Sequence, residues 1–301
     1  RGMAVALLLL AMVVSSRANA AEDHSCTAGS KVGTSKFAGA IEPPVVLLNG
    51  ETLSPPITET YVVGGREVNM RALHDELQLT YIHGLVDSDE IARLVQLAQA
   101  REGFIKSPLK SQASGERMDG DSRRTSSSCP MLWGFLYAGR EDEVRAKRPE
   151  LLEELGLTDD ISMRVAALFT KAGVSVTRDY IEPLQLVRYA PGEAFGPHHD
   201  YHASGESSVQ GEQRAFTVLL FGSSLAQTDG GETHFPELGL SVWPRAGDAV
   251  AWSNVHQDGS PNPRSLHEGR PPTAKEKVAV NVWISDTPFS QEAGLGRAVK
   301  S

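Results

Sequence analysis

The chain of 301 residues carries 38 acidic against 29 basic residues, a formal charge of −9, with 40% apolar and 22% charged residues. That balance excludes collagen-like, coiled-coil and low-complexity chains, and it lacks the basic footprint of a nucleic-acid binder. Two cysteines supply neither a disulfide scaffold nor a four-cysteine zinc site.

Residues Met3–Val14 form an unbroken small-apolar run, too short for a spanning helix of about 20 residues. Ala18-Asn19-Ala20 follows and fits the small-x-small pattern of a signal cleavage site. Residues 1–20 therefore read as a secretory signal, with a retained membrane anchor as the alternative. The expected location is the secretory pathway, in the endoplasmic reticulum lumen or at its membrane. Residues 21–75 read as a loosely organised extension, punctuated by Pro43-Pro44, Pro55-Pro56 and Gly64-Gly65. Cys26 lies in it and Cys129 far along the chain. In an oxidising compartment the two are candidates for a pair, although spacing alone does not fix their separation. One domain is expected over residues 76–287, with a tail at 288–301.

Asp87-Ser88-Asp89-Glu90 opens a helix with a capping-box spacing, Ile91, Leu94, Val95 and Ala98 share one face, and Gly103 is its expected stop. A second helix is predicted from about Asp160 to Gly173. Between the two, Arg140–Leu157 is so rich in charge that it reads as a surface insertion, partly helical after Pro149. Beyond Glu182 come short apolar runs punctuated by glycine, proline and aspartate, including FTVLLF, DAVAW and VAVNVWI. Many short strands after leading helices predict a mainly β core, an antiparallel sandwich or barrel with helices packed outside.

Six of the nine histidines fall between residues 198 and 267. In an extended segment residues i and i+2 point the same way, so His198 and Asp200 can share a metal while His199 faces elsewhere. Asp200 and His202 have the same spacing and compete for that role. A distal histidine would complete a two-histidine, one-carboxylate face with open positions, suited to non-haem iron or, with different ligation, to zinc.

The flanks carry a resemblance. The segment Tyr189–Asp200, YAPGEAFGPHHD, is similar to the Y-x-x-G-x-x-Y/F-x-x-H-x-D stretch of prolyl 4-hydroxylases, which are Fe(II)/2-oxoglutarate dioxygenases. Gly230–Pro236 (GGETHFP), Pro244–Ala249 (PRAGDA) and Ser265–Pro271 (SLHEGRP) resemble that family's later motifs in order, with Lys277 and Trp283 at matching offsets. Weaker similarity reaches back through Arg124–Ser127 to about residue 80. The resemblance implies a double-stranded β-helix (jelly-roll, cupin-like) barrel, in an α+β chain with supporting N-terminal helices. It implies hydroxylation of peptidyl proline, with 2-oxoglutarate decarboxylated to succinate and CO2. The implied cofactors are Fe(II), 2-oxoglutarate and O2, with ascorbate as the expected reductant. The alternatives are the same chemistry on another side chain or small molecule, and an inactive barrel serving as a binding module.

The resemblance also selects His198, Asp200 and His267 as metal ligands, leaving His202 as runner-up and giving His234 and His256 ordinary structural roles. Lys277 is expected to hold the distal carboxylate of 2-oxoglutarate, with Tyr189 and Thr217 beside it. Alternation supports this placement, since Lys277, Ala279, Asn281 and Trp283 share one face and three valines the other. Arg214, Trp283 and Phe195 are the expected contacts of a proline-containing peptide. Phe195 stands where many relatives carry tyrosine. The implied partner is that peptide; no nucleic acid is expected, and a membrane only if residues 1–20 remain attached.

Overall fold

The computed structural model describes residues 44–107, 109–110, 117–118, 123–202 and 213–290. The apolar run at 3–14, the cleavage pattern, Cys26 and the end of the tail lie outside the described residues. Strands β1 (Val46–Leu48), β2 (Glu51–Leu53), β3 (Glu59–Val63), β4 (Arg66–His74) and β5 (Leu79–His83) lead into helix α1 (Ser88–Ala100). Short strands β6 (Ile105–Lys106), β7 (Leu109–Lys110), β8 (Arg117–Met118) and β9 (Ser127–Pro130) follow, then helices α2 (Gly134–Tyr137), α3 (Glu141–Lys147) and α4 (Leu152–Lys171). The remainder is β10 (Gln185–Tyr189), β11 (Phe195–His198), β12 (Arg214–Phe221), β13 (Thr233–Phe235), β14 (Leu240–Val242), β15 (Ala249–Ser253), β16 (His267–Gly269) and β17 (Lys277–Ser285). Among the described residues no helix is long and apolar enough to cross a membrane.

The strands form a nine-stranded sheet, ordered β3-β4-β5-β15-β12-β17-β10-β9-β6, and a six-stranded sheet, ordered β11-β16-β13-β14-β1-β2. The two antiparallel sheets make the double-stranded β-helix core expected from the sequence. Residues 46–74, assigned above to an extension outside the domain, supply strands to both sheets: β1 pairs with β14, and β4 pairs with β5. Val46 is fully buried between the sheets, so this stretch belongs to the barrel.

Alternation along β17 divides the core in two. Val278, Val280 and Val282 face outward and pack with Ile91 and Leu94 of α1 and Ile161 and Val165 of α4. Ala279 faces the barrel interior with Tyr81, Phe221, Phe235 and Trp252. Each such large apolar side chain contributes about 1.5–3 kcal/mol on full burial. The valines thus hold the helices to the outside while the opposite face of the same strand opens onto the site.

Helix α1 begins as its pattern predicts, with the Asp87 N–H donating to the Glu90 carboxylate at 2.8 Å. At its end the left-handed residue is Glu102 (φ 53°), and Gly103 is needed for another reason: a Cβ there would lie 2.6 Å from Cys129 Sγ. Helix α4 ends at Gly173 (φ 91°) as expected, but it begins eight residues before Asp160, taking in the end of the charged segment. That segment is not simply a solvated insertion. Glu154 is 3% exposed, accepts two hydrogen bonds from Arg101 and one from the Leu132 N–H, and ties α4 to the turn after α1. Charge content concealed this because a buried carboxylate with three donors has the same sequence signature as an exposed one.

A second buried pair joins the helices to the hairpin below them. Arg164 of α4 reaches both carboxylate oxygens of Glu90 and the carbonyl of Leu85. Arg164→Ala would strand Glu90 and this carbonyl, and is expected to cost about 2–4 kcal/mol, measured by urea unfolding.

Candidate active site

β11 and β16 are antiparallel neighbours, and His198 stands directly opposite His267. Asp200, two residues past His198, turns to the same side. One donor atom from each of His198, Asp200 and His267 lies within 4.8 Å of the others. His198 Nε2 is 3.9 Å from Asp200 Oδ1, and His267 Nε2 is 3.7 Å from Asp200 Oδ2. In both imidazoles Nδ1 faces a backbone carbonyl, Gly196 O at 2.8 Å and Ser265 O at 2.9 Å. A ring nitrogen facing a carbonyl carries the proton, so both Nε2 lone pairs point to the centre.

Burial, with His267 alongside, pushes the pKa of His198 down to about 3, so its ring is neutral at neutral pH. Burial works against ionisation of Asp200, but His267, His198, Arg214 and the Thr217 hydroxyl outweigh it and hold its pKa at about 2. A facial set of imidazole nitrogens and an ionised carboxylate fits Fe(II) and leaves coordination positions open. His202 is outside this group. His199 turns to the other side, with Nδ1 3.3 Å from Ser265 Oγ and its ring stacked on Tyr201. His234 Nδ1 meets Ser241 Oγ at 2.8 Å, and the His256 backbone closes a turn onto Ser260.

A buried cation reaches β13, the strand next to β16. Lys277 is 1% exposed; its Nζ lies 5.4 Å from the centre of the Tyr189 ring and donates to Thr233 Oγ1 at 3.3 Å. Burial lowers its pKa to about 7, partly offset by Glu232. A fully buried ammonium is costly unless an anion joins it. Thr233 lies opposite Gly269, and Gly269 also abuts the Tyr189 hydroxyl: a Cβ there would come within 3.3 Å of it. Gly269 follows His267 by two positions, about 6–7 Å along a strand. Thr233 and Tyr189 thus link Lys277 to the strand that carries His267.

Other expected contacts are placed differently. Thr217, expected beside Lys277, donates instead to Asp200 Oδ2 at 2.8 Å. Thr233, within the Gly230–Pro236 motif but given no role from sequence, takes the place beside Lys277. Arg214 makes two hydrogen bonds to Glu182, at 2.7 and 2.9 Å, and its guanidinium lies 3.5 Å from the centre of the Trp283 ring. Arg214 is close enough to Asp200 to favour its ionised form, but the arginine's charge is already met by Glu182. Phe195 is stacked on the metal-site ring of His198, centroids 3.5 Å apart, and Arg124 covers it at 4.3 Å. Phe195 is therefore a support for His198 and presents no free ring face as a substrate wall. Glu182 escaped the sequence reading because ion pairing across strands leaves no local pattern.

The fold and the triad have the form that an iron-dependent oxygenase of the 2-oxoglutarate class would need. Residues 184–285 match the family model described as the 2OG-Fe(II) oxygenase superfamily. The chain is 27% identical over 229 residues to Prolyl 4-hydroxylase 2 of Arabidopsis thaliana, covering 69% of this chain and 67% of that protein. It is 34% identical over 116 residues to Prolyl 4-hydroxylase 1 of the same plant, covering 34% and 40%. The matched region spans 63% of the length of another Arabidopsis relative, named Probable prolyl 4-hydroxylase 4, at 28% identity over 62% of this chain. The fold is similar to the crystal structure of a viral collagen prolyl hydroxylase from Paramecium bursaria Chlorella virus 1. That match has a TM-score of 0.50 and 20% identity, covering 69% of this chain and 96% of that one. Residues 184–285 thus carry the match to the 2OG-Fe(II) oxygenase superfamily, and about two thirds of the chain is similar to proteins named prolyl 4-hydroxylases.

His267→Ala is expected to abolish stoichiometric Co(II) binding, followed by visible absorption. Lys277 must be protonated to hold a carboxylate, and without ligand it loses its proton at about pH 7. The apparent Kd for 2-oxoglutarate should therefore rise toward about tenfold per pH unit above neutrality, measured by calorimetry in the presence of metal. An unfolded lysine keeps its proton up to its ordinary pKa of 10.5. The ligand-free protein should thus gain stability as pH rises from about 7 toward that value. Lys277→Met should melt at a higher temperature than the unliganded parent while losing 2-oxoglutarate binding.

Proposed function

We propose that the chain hydroxylates proline residues in a peptide, with Fe(II), O2 and 2-oxoglutarate as cofactors and succinate and CO2 as coproducts. The observation that carries this reading is the buried Lys277–Thr233–Tyr189 pocket beside a His198–Asp200–His267 face. A zinc hydrolase would have no use for a buried ammonium at that distance. Bound iron would supply the activation of dioxygen. The protein's own part is orientation: Nε2 of His198 and His267 and the Asp200 carboxylate hold the metal, and Lys277 fixes the far end of the diacid. Leu219, Phe221, Val250, Trp252 and Ala279 give the inward faces of β12, β15 and β17 an apolar stretch between the polar groups.

Relatives named as prolyl 4-hydroxylases support proline as the target. The Arg214–Glu182 pair and Trp283 form a polar but charge-balanced lining, which suits an uncharged peptide segment better than an acidic or basic one. The apolar run at 3–14 supports a secretory route, with ascorbate as the reductant there; a reporter fused behind residues 1–20 and retained in the cytosol would refute that route.

Purified protein given Fe(II), 2-oxoglutarate, ascorbate, O2 and a proline-rich peptide should release succinate and add roughly 16 Da, one oxygen atom, to proline. Succinate release with the peptide unmodified would keep the oxygenase and refute the prolyl assignment. Neither product would leave a barrel that binds without reacting.

A further inference from the structure

Asp200 is held by more than its neighbouring ligands. Trp252 Nε1 donates to Asn254 Oδ1 at 2.9 Å, Asn254 Nδ2 to Thr217 Oγ1 at 2.8 Å, and Thr217 Oγ1 to Asp200 Oδ2 at 2.8 Å. All four residues are buried, Asn254 and Thr217 completely. Thr217 of β12 stands opposite Trp252 of β15, and Asn254 follows two positions after Trp252 on the same face. The Asn254 backbone is fixed at both ends, its N–H donating to Ala215 O at 2.8 Å and its carbonyl accepting from Asn262 N at 3.0 Å.

The chemistry of the groups fixes one direction along this row. An indole N–H only donates, so the oxygen of the Asn254 amide must face Trp252 and its NH2 must face Thr217. The Thr217 oxygen accepts there, which leaves its single proton for Asp200. A carboxylate only accepts, so the row ends at Oδ2. Among the described residues, the buried indole nitrogens of Trp243 and Trp283 have no hydrogen-bond partner. The fold thus tolerates an idle indole N–H elsewhere but puts that of Trp252 to use. The Trp252 ring also packs against His267, centroids 4.7 Å apart.

We propose that Trp252, Asn254 and Thr217 form a one-way hydrogen-bond relay that orients Asp200, with Asn254 a positioning residue of the metal centre although it touches none of the ligands. By engaging Oδ2 alone, the relay distinguishes the two carboxylate oxygens and fixes the rotation of the Asp200 carboxylate that would hold the ion. One side chain, Trp252, then braces two ligands: His267 by a T-shaped ring contact and Asp200 through the row that its N–H begins. This rests on the metal-centre reading given above.

The test is Co(II) titration, with affinity and the visible ligand-field spectrum as readouts and metal-free thermal unfolding as a control. Thr217→Val keeps the shape and removes the donor; it should weaken Co(II) binding about 10–100-fold and shift the spectrum. Thr217→Ser retains the donor and should restore both. Asn254→Ala should produce a similar loss, and the double variant Thr217→Val with Asn254→Ala should be no weaker than the worse single one, as expected for one coupled unit. Wild-type affinity and spectrum in Thr217→Val, or losses that add in the double variant, would overturn the relay while leaving the metal centre intact. No Co(II) binding by the parent protein would overturn the metal centre, and the relay with it. If Asn254→Ala does not fold, the contrast between Thr217→Val and Thr217→Ser decides alone.

Discussion

The register that sets His198 against His267 is the constraint on which the site depends. The two residues come from distant parts of the chain, and strand pairing alone brings their imidazoles to a 4.3 Å separation between ring centres. A slip of one residue would turn a ligand to the opposite face of the sheet. The pairing is defended on both sides. β16 is held by β13, with Thr233 opposite Gly269. β11 lies at the sheet edge, where Arg124 bridges to Phe195 and covers its ring while the other face of that ring stacks on His198. The loss of a tyrosine hydroxyl at position 195 is compatible with this arrangement, because stacking uses the ring and not the para position.

Charge drawn into the fold is otherwise met by opposite charge. Arg164 meets Glu90, Arg101 meets Glu154 and Arg214 meets Glu182, each through two hydrogen bonds. Removing one partner from such a pair leaves an uncompensated ion, so these pairs specify where α1, α4 and β12 sit more than they add net stability. Lys277 departs from the rule. It is as buried as any of them, yet its hydrogen bond goes to a hydroxyl. The cost of burying that ammonium is what gives the proposed anion site its physical basis.

Much of this was legible in the amino-acid order, for reasons that differ by residue. The i, i+2 spacing of His198 and Asp200 and the alternation through Lys277 are properties of an extended backbone, so they survive folding unchanged. The capping pattern of Asp87 and Glu90 is equally local. What failed was long-range. Glu154 looked solvated because its donors are Arg101 and the Leu132 N–H, distant in sequence. Thr217 and Thr233 both lie on inward faces, and only the pairing of strands shows that the first reaches Asp200 and the second Lys277. Residues 46–74 looked like an extension because their short strands have no helical period and find partners beyond the stretch itself, β1 in β14 and β4 in β5.

The two sheets divide the chemistry between them. The minor sheet carries His198, His267 and Thr233; the major sheet carries Tyr189, Thr217 and Lys277. The distance from the triad histidines to Lys277 is thus a distance between sheets, set by the side chains packed between them. Trp252 lies in T-shaped contact with both Phe235, at 5.3 Å, and His267, at 4.7 Å. Interiors are too closely packed to lose such volume without movement. A smaller residue at Phe235 would let β13 and β16 settle toward the major sheet, altering the interval between His267 and Lys277. Core packing in this barrel therefore sets the spacing between the sheet that carries the triad histidines and the sheet that carries Lys277, and is not only a source of stability.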